Sequence, residues 1–445
     1  MTPTASGAER LSQRGLSLLV FGTGLATSLL VIFVIWRAQR LVTVSADPYS
    51  YVEMARSLLR GDGFAPFGSV LNRRGPLYPA LIAIVYSIVG ERPLVMQIVQ
   101  ALMLAGTCAL SFDIGSRLYN RRTGLIAAIL CAVHPCLLRY VADFHIEIFL
   151  TFLCTLSLWR SILLLEAPSV RSAAFFGLSA ALAALAKPVV LLYPLAFAAW
   201  WVLIEHRSVG LRRQRSGREA ERGPTRSTTP TRPTRLVGWG ALAAIFLAMG
   251  LVILPWTYRN YRSSGHLVLV TTGAGDAFLR GYVFSKTDYA LLRLPPYTYA
   301  ENESNAWFKS LCEQAGTEWQ RNDIESDQIL SRAAKRKLRD DPAAFVRKVF
   351  VQLFTFWYEM TSLVNSLVAG VAALILWAFA LVGWRRARAE GYLTWPLLVP
   401  ILYLNVLLAV LLALGRYSVP ILPALGILAA FGVDTLLRGI TDSAH

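Results

Sequence analysis

Apolar residues gather along the chain into blocks of roughly 20, the length of helix that crosses about 30 Å of hydrocarbon, and short charged stretches divide the blocks. Ten blocks read as membrane spans: 15–36, 94–115, 123–138, 147–165, 172–187, 189–204, 237–257, 362–384, 394–413 and 419–437. The third, fifth and sixth are short. A further apolar stretch, 77–90, is shorter still and would break the alternation of the others, so it is expected to lie as an interfacial or re-entrant helix. The first block is longer than the apolar core of a signal peptide and only weakly followed by a small-residue cleavage site, which predicts a retained span. The expected fold class is an all-α polytopic membrane protein.

Basic residues orient this pattern. The stretch 205–236 holds nine arginines against three glutamates among Thr, Pro and Gly, and taken as a cytoplasmic loop it brings the other basic turns into phase. Arg10 and Arg14 precede the first span, Arg117, Arg121 and Arg122 follow the second, and Arg160 and Arg171 follow the fourth. Arg385, Arg386 and Arg388 follow the eighth, and Arg438 follows the last. Both termini then lie inside. The chain divides into an N-terminal transmembrane module, 1–257, with a first outer loop at 37–93 and the basic loop at 205–236; an outer, mostly helical region, 258–361; and C-terminal transmembrane helices, 362–445.

The 445 residues are 55% hydrophobic and carry a formal net charge of +17. So large a charge would suit a nucleic-acid partner, but its concentration in one loop between spans reads as attraction to anionic headgroups, and no nucleic acid is expected. No GxxxxGK[ST] loop, GxGxxG turn or HExxH helix is present, which argues against a nucleotide-driven enzyme. Cys108, Cys131, Cys136 and Cys154 fall within spans and Cys312 outside them, with no pairing pattern, so they are expected to be packing residues.

The unusual chemistry collects at outer span ends. In SADPYSYVEMARSLLRGDGF, Ser45 and Asp47 can cap a helix; Asp47 would also sit just above an apolar surface, where a carboxylate can serve as a base. Glu53 and Asp62 read as solvated. Arg73 and Arg74 precede a Gly-Pro break and an apolar helix, where a guanidinium can bind lipid phosphate or simply snorkel, the latter favoured for Arg73. Asp143 and Glu147 are four apart and would share one face of the helix entering the fourth span, with His145 pointing elsewhere. With Asp47 they could form a carboxylate metal site; pairing of Glu147 with Arg139 or Lys187 is the structural alternative. Lys187, Arg259, Arg262 and Arg416 each stand at an outer span end, as snorkelling cations or as parts of one anion site.

The order of DPYSYVEMARSLLRGDGF, RRGPLYPALIAIVYSIVG, SRLYNRRTGLIAAIL, ALAALAKP, PWTYRNYR with LVLVTTGAGDAFLRGY, and GRYSVPILP resembles the GT-C superfamily of membrane glycosyltransferases across residues 10–437. Within it the chain looks like bacterial relatives of dolichyl-phosphate-mannose protein mannosyltransferases and of the lipid A aminoarabinose transferases. The resemblance implies a GT-C bundle of about ten spans with interfacial helices in the first outer loop, Asp47 as catalytic base, and Glu147 as the acid at the start of span 4. It implies Arg74, Lys187, Arg259 and Arg416 near a donor phosphate. The family often has adjacent acids where this chain has Asp47 followed by Pro48, which leaves any second-acid or metal role at that neighbouring position open. The 258–361 region is short, so a large globular outer domain is not expected; instead 332–348 reads as a basic amphipathic stretch lying on the membrane.

The implied activity is inverting transfer of a sugar from a polyprenyl-phosphate donor to a hydroxyl of a lipid, polysaccharide or protein acceptor, at the outer face of a bacterial inner membrane. No cofactor is required in this scheme, and a divalent cation is left open. A lipid-linked-sugar transporter or flippase is the first rival, but it would show paired halves and broken helices deep in the membrane. A non-catalytic envelope-assembly subunit is the second.

Overall fold

A computed structural model of the chain describes residues 7–37, 46–65, 73–204, 238–286, 296–319 and 323–443. The basic loop 205–236 and Ser45 lie outside the described residues. Among the described residues there are helices and no strands. In chain order the helices are α1 (Gly7–Arg37), α2 (Ala46–Leu59), α3 (Leu77–Val89), α4 (Pro93–Leu118), α5 (Arg121–Val133), α6 (Pro135–Val141), α7 (Glu147–Glu166), α8 (Val170–Ala186) and α9 (Pro188–Ile204). They continue as α10 (Trp239–Ser264), α11 (Ala274–Phe284), α12 (Pro296–Gln314), α13 (Asp323–Asp340), α14 (Pro342–Tyr358), α15 (Leu363–Ala389), α16 (Trp395–Val410) and α17 (Leu422–Ser443). A 3₁₀ turn, Gly415–Ile421, leads into α17.

Among the described residues six helices are long and apolar enough to cross a membrane, α5 with α6 forms a bent seventh candidate, and α8, α9 and α16 are shorter apolar helices. All ten expected spans are thus helical, with revised edges. The third is broken by 52° at His134, because Pro135 has no N–H to continue the ladder and His134 Nδ1 accepts from the Cys136 N–H instead. The seventh runs on through Pro255 to Ser264, so Arg259 is part of the helix rather than beyond it. α3 has 13 residues, about 20 Å of rise, too short to cross. It packs against α2, α4 and α8.

Two apolar cores hold the bundle, one among α1, α4, α5, α15, α16 and α17, the other among α2, α3 and α7–α10. Close crossings rely on small residues, as in lipid, where dispersion rather than water exclusion drives helix pairing. A Cβ on Gly383 would lie 2.1 Å from Leu428 O, and one on Gly432 would lie 2.0 Å from Phe379 O, so α15 and α17 touch backbone to backbone. At one end of the bundle Asp434 of α17 accepts from Asn120 and Thr123 and pairs with Arg122 and Arg438. Nearby chain ends of α4 and α7 are joined through Arg117, which pairs with Asp113 and Glu166. The start of α7 and the end of α8 fall at the opposite end, which carries the site.

The 258–361 region is helical as expected, but 332–348 is not one membrane-lying stretch. It breaks at Asp341, whose side chain caps α14 by accepting from Ala344 N at 2.9 Å. Lys348 is fully buried; its ammonium donates to Phe278 O (2.8 Å) and Val410 O (2.7 Å) and lies 3.9 Å from the Phe278 ring centre. Burial pushes this amine down to about 7. It therefore ties α11 to the end of α16 rather than meeting headgroups. Val346, Phe350 and Phe354 form the exposed stripe of α14 at helical spacing.

Candidate functional site

Asp47 lies in the first turn of α2, and its carboxylate is shared by two arginines from distant parts of the chain. Arg74 Nη2 donates to Oδ1, and Arg416 Nη1 stands 2.8 Å from Oδ2. Burial on its own would raise this carboxyl, but Arg74 and Arg416, with His145 nearby, hold it well below the usual carboxylate range. Arg74 also sits 5.3 Å from the ring centre of Tyr51, which is stacked edge-on against Tyr78.

Backbone packing explains why these charges meet. A Cβ on Gly75 would lie 2.2 Å from Leu185 O and 2.5 Å from Ala186 O, so the Arg73–Pro76 turn presses against the C-terminal end of α8, one residue before Lys187. Lys187 ends α8 in extended conformation, and its ammonium rests 3.9 Å from the ring centre of Tyr417. Arg416 Nη2 donates to the Tyr417 hydroxyl at 3.2 Å. Three cations, Arg74, Lys187 and Arg416, thus surround Asp47 and Tyr417. Arg259 makes other contacts: it donates to Phe64 O and Asn260 Oδ1 and lies over Trp256, bracing the end of the first loop.

The α6–α7 connection is held by polar residues inside α4. Tyr78 donates to Gln100 Oε1, Gln100 donates to Val141 O and Asp143 O, and Gln97 donates to Ala142 O. Asp143 belongs to this bend and not to α7, which starts at Glu147, so the two acids do not share a helical face as their spacing suggested. Asp143 accepts from its neighbour Phe144 N, and His145 Nδ1 is 2.9 Å from Asp143 Oδ2. Glu147 is 2% exposed and its Oε2 has no hydrogen-bond partner among the described residues, nor is it paired there with Arg139 or Lys187. Among the described residues no three His, Cys, Asp or Glu side chains are grouped to hold a metal. The carboxylate trio Asp47, Asp143 and Glu147 therefore does not assemble as a metal site, Asp47 being engaged by two guanidiniums.

Other expectations divide. Asp62 is exposed beside Arg60, whereas Glu53 is largely covered and paired with Arg56, which also binds Glu91. All five cysteines are free, four of them buried. Tyr51, Tyr417, Gln97, Gln100 and Glu359 escaped the sequence reading. Gln97 and Gln100 carried a signal, two amides within one apolar span. Glu359 is 4% exposed, and burial pushes its carboxyl up to about 8 although the Thr355 hydroxyl opposes that rise. Its backbone carbonyl accepts from Gly415 N at 2.6 Å, next to Arg416.

Beside the cation cluster lies a narrow apolar pocket lined by Cys154, Val190, Tyr193, Tyr403, Pro420 and Ile421. Val190 follows Lys187 in one turn, and Pro420 and Ile421 follow Arg416 in another, so the two turns that supply cations also wall this apolar space.

Residues 73–215 match the family model described as Dolichyl-phosphate-mannose-protein mannosyltransferase, about a third of the chain. The oligosaccharyltransferase AglB from Archaeoglobus fulgidus, solved in complex with an inhibitory peptide and a dolichol-phosphate, superposes with a TM-score of 0.53 at 13% identity. That match covers 96% of this chain and 52% of AglB. The chain shares the all-α membrane fold of that oligosaccharyltransferase. A second AglB structure, in complex with Zn and sulfate, gives a TM-score of 0.52 at 13% identity over 95% of this chain and 49% of AglB. ArnT from Cupriavidus metallidurans, bound to undecaprenyl phosphate, matches at 15% identity over 98% of this chain and 79% of ArnT, with a TM-score of 0.41. The chain spans about half the length of the AglB chains it matches. No curated protein sequence matches it. The resemblance to dolichyl-phosphate-mannose protein mannosyltransferases read from the sequence agrees with the family model over residues 73–215, and the AglB likeness agrees with the expected all-α membrane fold.

Proposed function

We propose that the chain is an inverting glycosyltransferase that moves a sugar from a polyprenyl-phosphate donor to an acceptor hydroxyl at the outer face of a bacterial inner membrane. The observation that carries this reading is the Asp47 carboxylate clamped by Arg74 and Arg416, with Lys187 beside them, at the edge of an apolar pocket. The cations suit a phosphate, and the apolar lining between the two turns that carry them suits the first units of a prenyl chain. A flippase would need a polar path through the bundle, whereas these charges collect at one end.

In this scheme the donor phosphate takes Arg74 and Arg416 from Asp47. A carboxylate held by two guanidiniums is a weak base. Released from them but still covered, Asp47 rises in basicity and accepts the proton of the acceptor hydroxyl as that oxygen attacks the anomeric carbon. The bond from the anomeric carbon to the phosphate oxygen breaks, and its electron pair leaves on the polyprenyl phosphate, stabilised by Arg74, Lys187 and Arg416. Glu147, buried with an unpartnered oxygen, would accept a hydrogen bond from donor or acceptor. Arg259 supports the first loop. No step is routed through a metal.

The test is transfer of radiolabelled sugar from a series of polyprenyl-phosphate donors by membranes containing the chain. Asp47→Asn should abolish transfer, Lys187→Met should lower it by about 10² to 10³ as for loss of one charge-stabilising donor, and a chelator should leave it unchanged. Full activity in Asp47→Asn would refute the base assignment. Loss of activity with chelator alone would restore the cation.

A further inference from the structure

The two arginines that clamp Asp47 stand on separate turns, Arg74 in the Arg73–Pro76 turn and Arg416 in the Gly415–Ile421 turn. Gly75 docks the first turn on α8; a second set of contacts, made by α11 and α14, ties the first turn to the second. Arg73, expected to snorkel, instead pairs with Asp276 of α11, Nη2 to Oδ2 at 2.5 Å. Asp276 is 7% exposed, and its other oxygen is held by Arg280 Nε, one turn further along α11, at 3.0 Å. The residue next to Arg74 is thereby anchored to the start of α11.

Further along α11, Lys348 and Gln352, four apart on one face of α14, hold that helix to the chain that enters the second turn. Lys348 Nζ donates to both Phe278 O of α11 and Val410 O at the end of α16. Gln352 Nε2 donates to Gly281 O at 2.7 Å, and Gln352 Oε1 accepts from Ala413 N at 3.0 Å. The fit is close: a Cβ on Gly281 would lie 2.2 Å from Leu411 O and 2.4 Å from Lys348 Cε. Two residues beyond Ala413, Gly415 N donates to Glu359 O, just past the end of α14. Contacts thus run without a break from Arg73 through α11 and α14 to the residue before Arg416. Lys348 is fully buried and Gln352 is 1% exposed. Apolar side chains would fill those positions with no polar group to satisfy, so what an ammonium and an amide add there is their hydrogen bonds.

We propose that Asp276, Lys348 and Gln352 are positioning residues that set the spacing of Arg74 and Arg416, and with it the fit of a phosphate group between them. The proposal rests on the polyprenyl-phosphate reading above, in which both guanidiniums change partner from the Asp47 carboxylate to the phosphate. Such an exchange needs side chains that swing on backbones that stay in place, and those backbones must be held by groups other than the exchanging partners. The α11–α14 brace supplies such groups. None of its three residues contacts Asp47, so removing one loosens the gap between the arginines without taking a cation from it.

The experiment is equilibrium binding of radiolabelled farnesyl phosphate and of neutral farnesol to the full chain in dodecyl maltoside, the ratio of the two affinities reporting the phosphate alone. Gln352→Met and Asp276→Asn should each lower the native preference for the phosphate about tenfold, the order of one hydrogen bond. Gln352→Glu keeps the acceptor for Ala413 N and should retain the preference. Asp276→Asn also frees the charge of Arg73, which by electrostatics alone would raise the preference, so a fall reports position. Asp434→Asn, at the opposite end of the bundle, should lower the thermal midpoint and leave the preference unchanged, which separates positioning from general loss of stability. Native preference in both Gln352→Met and Asp276→Asn would overturn the proposal and leave the phosphate reading standing. If the native chain shows no preference for the phosphate, that reading falls instead, and the brace is judged by amide exchange in the ligand-free chain. Exchange across 411–421 should then quicken in Gln352→Met and not in Gln352→Glu; unchanged exchange in both would overturn the brace as well.

Discussion

Ionisable residues at the Asp47 end show how burial and pairing pull in opposite directions. Asp47 is covered yet strongly acidic because two guanidiniums outweigh its desolvation, whereas Glu359 is covered without such partners and rises to about 8. The stability contribution of the neutral Glu359 carboxyl is complete below its ordinary value of 4.5 and is lost as pH rises through about 8. Glu359→Gln removes that loss. The variant should match the native chain near pH 4.5 and exceed it at pH 8 by on the order of 4 kcal/mol, read as a higher thermal midpoint in detergent. A midpoint difference that does not change with pH would show that Glu359 is not buried as an acid. The sequence pointed to Asp47, Arg74, Lys187 and Arg416 because charge is costly at apolar span ends. Glu359 gave no such signal, as it falls between helices where an acid is ordinary.

Helix existence was legible because each span is a local apolar run, and every block expected to be a span is helical. Helix ends were less so. Asp143 left α7 because the Gln97 and Gln100 amides capture the carbonyls of the preceding bend, a contact from another helix that i, i+4 spacing cannot reveal. Lys348 likewise left the surface because α11 and α16 present carbonyls to it. The α15–α17 crossing depends on glycine at the contact. Gly432→Leu would drive a side chain into Phe379 O, and should lower stability by about 1–3 kcal/mol or more and reduce transfer with it, since α17 continues the turn bearing Arg416. Native thermal stability and transfer in this variant would show that the helices can separate without cost.

At the scale of the whole molecule, the Asp47–Arg74–Arg416 cluster and the Asp434 cluster occupy opposite ends of the bundle. The proposed orientation puts the first end outside and the 205–236 stretch inside. Asp62, exposed beside Arg60, and Ser216 are suitable reporters, because four native cysteines are buried and the fifth is partly so. In spheroplasts a membrane-impermeant maleimide should label Asp62→Cys and leave Ser216→Cys unlabelled until the membrane is opened. Labelling of Ser216→Cys from outside would invert the topology and move the site to the cytoplasm.

Hydropathy and charge act residue by residue along the chain, so the sequence by itself determined the spans, their alternation and the gathering of Asp47, Lys187 and Arg416 at span ends on one side. Which of those charges meet is a matter of helix rotation and approach, fixed by contacts between residues far apart in the chain. Docking of Gly75 on the end of α8 brought Arg74 toward Lys187, the Gly415–Ile421 turn delivered Arg416 to Asp47, and α10 carried Arg259 to the first loop. The pairing of Arg73 with Asp276 arises in the same way, from the approach of the first-loop turn to α11, and no local pattern in either segment encodes it.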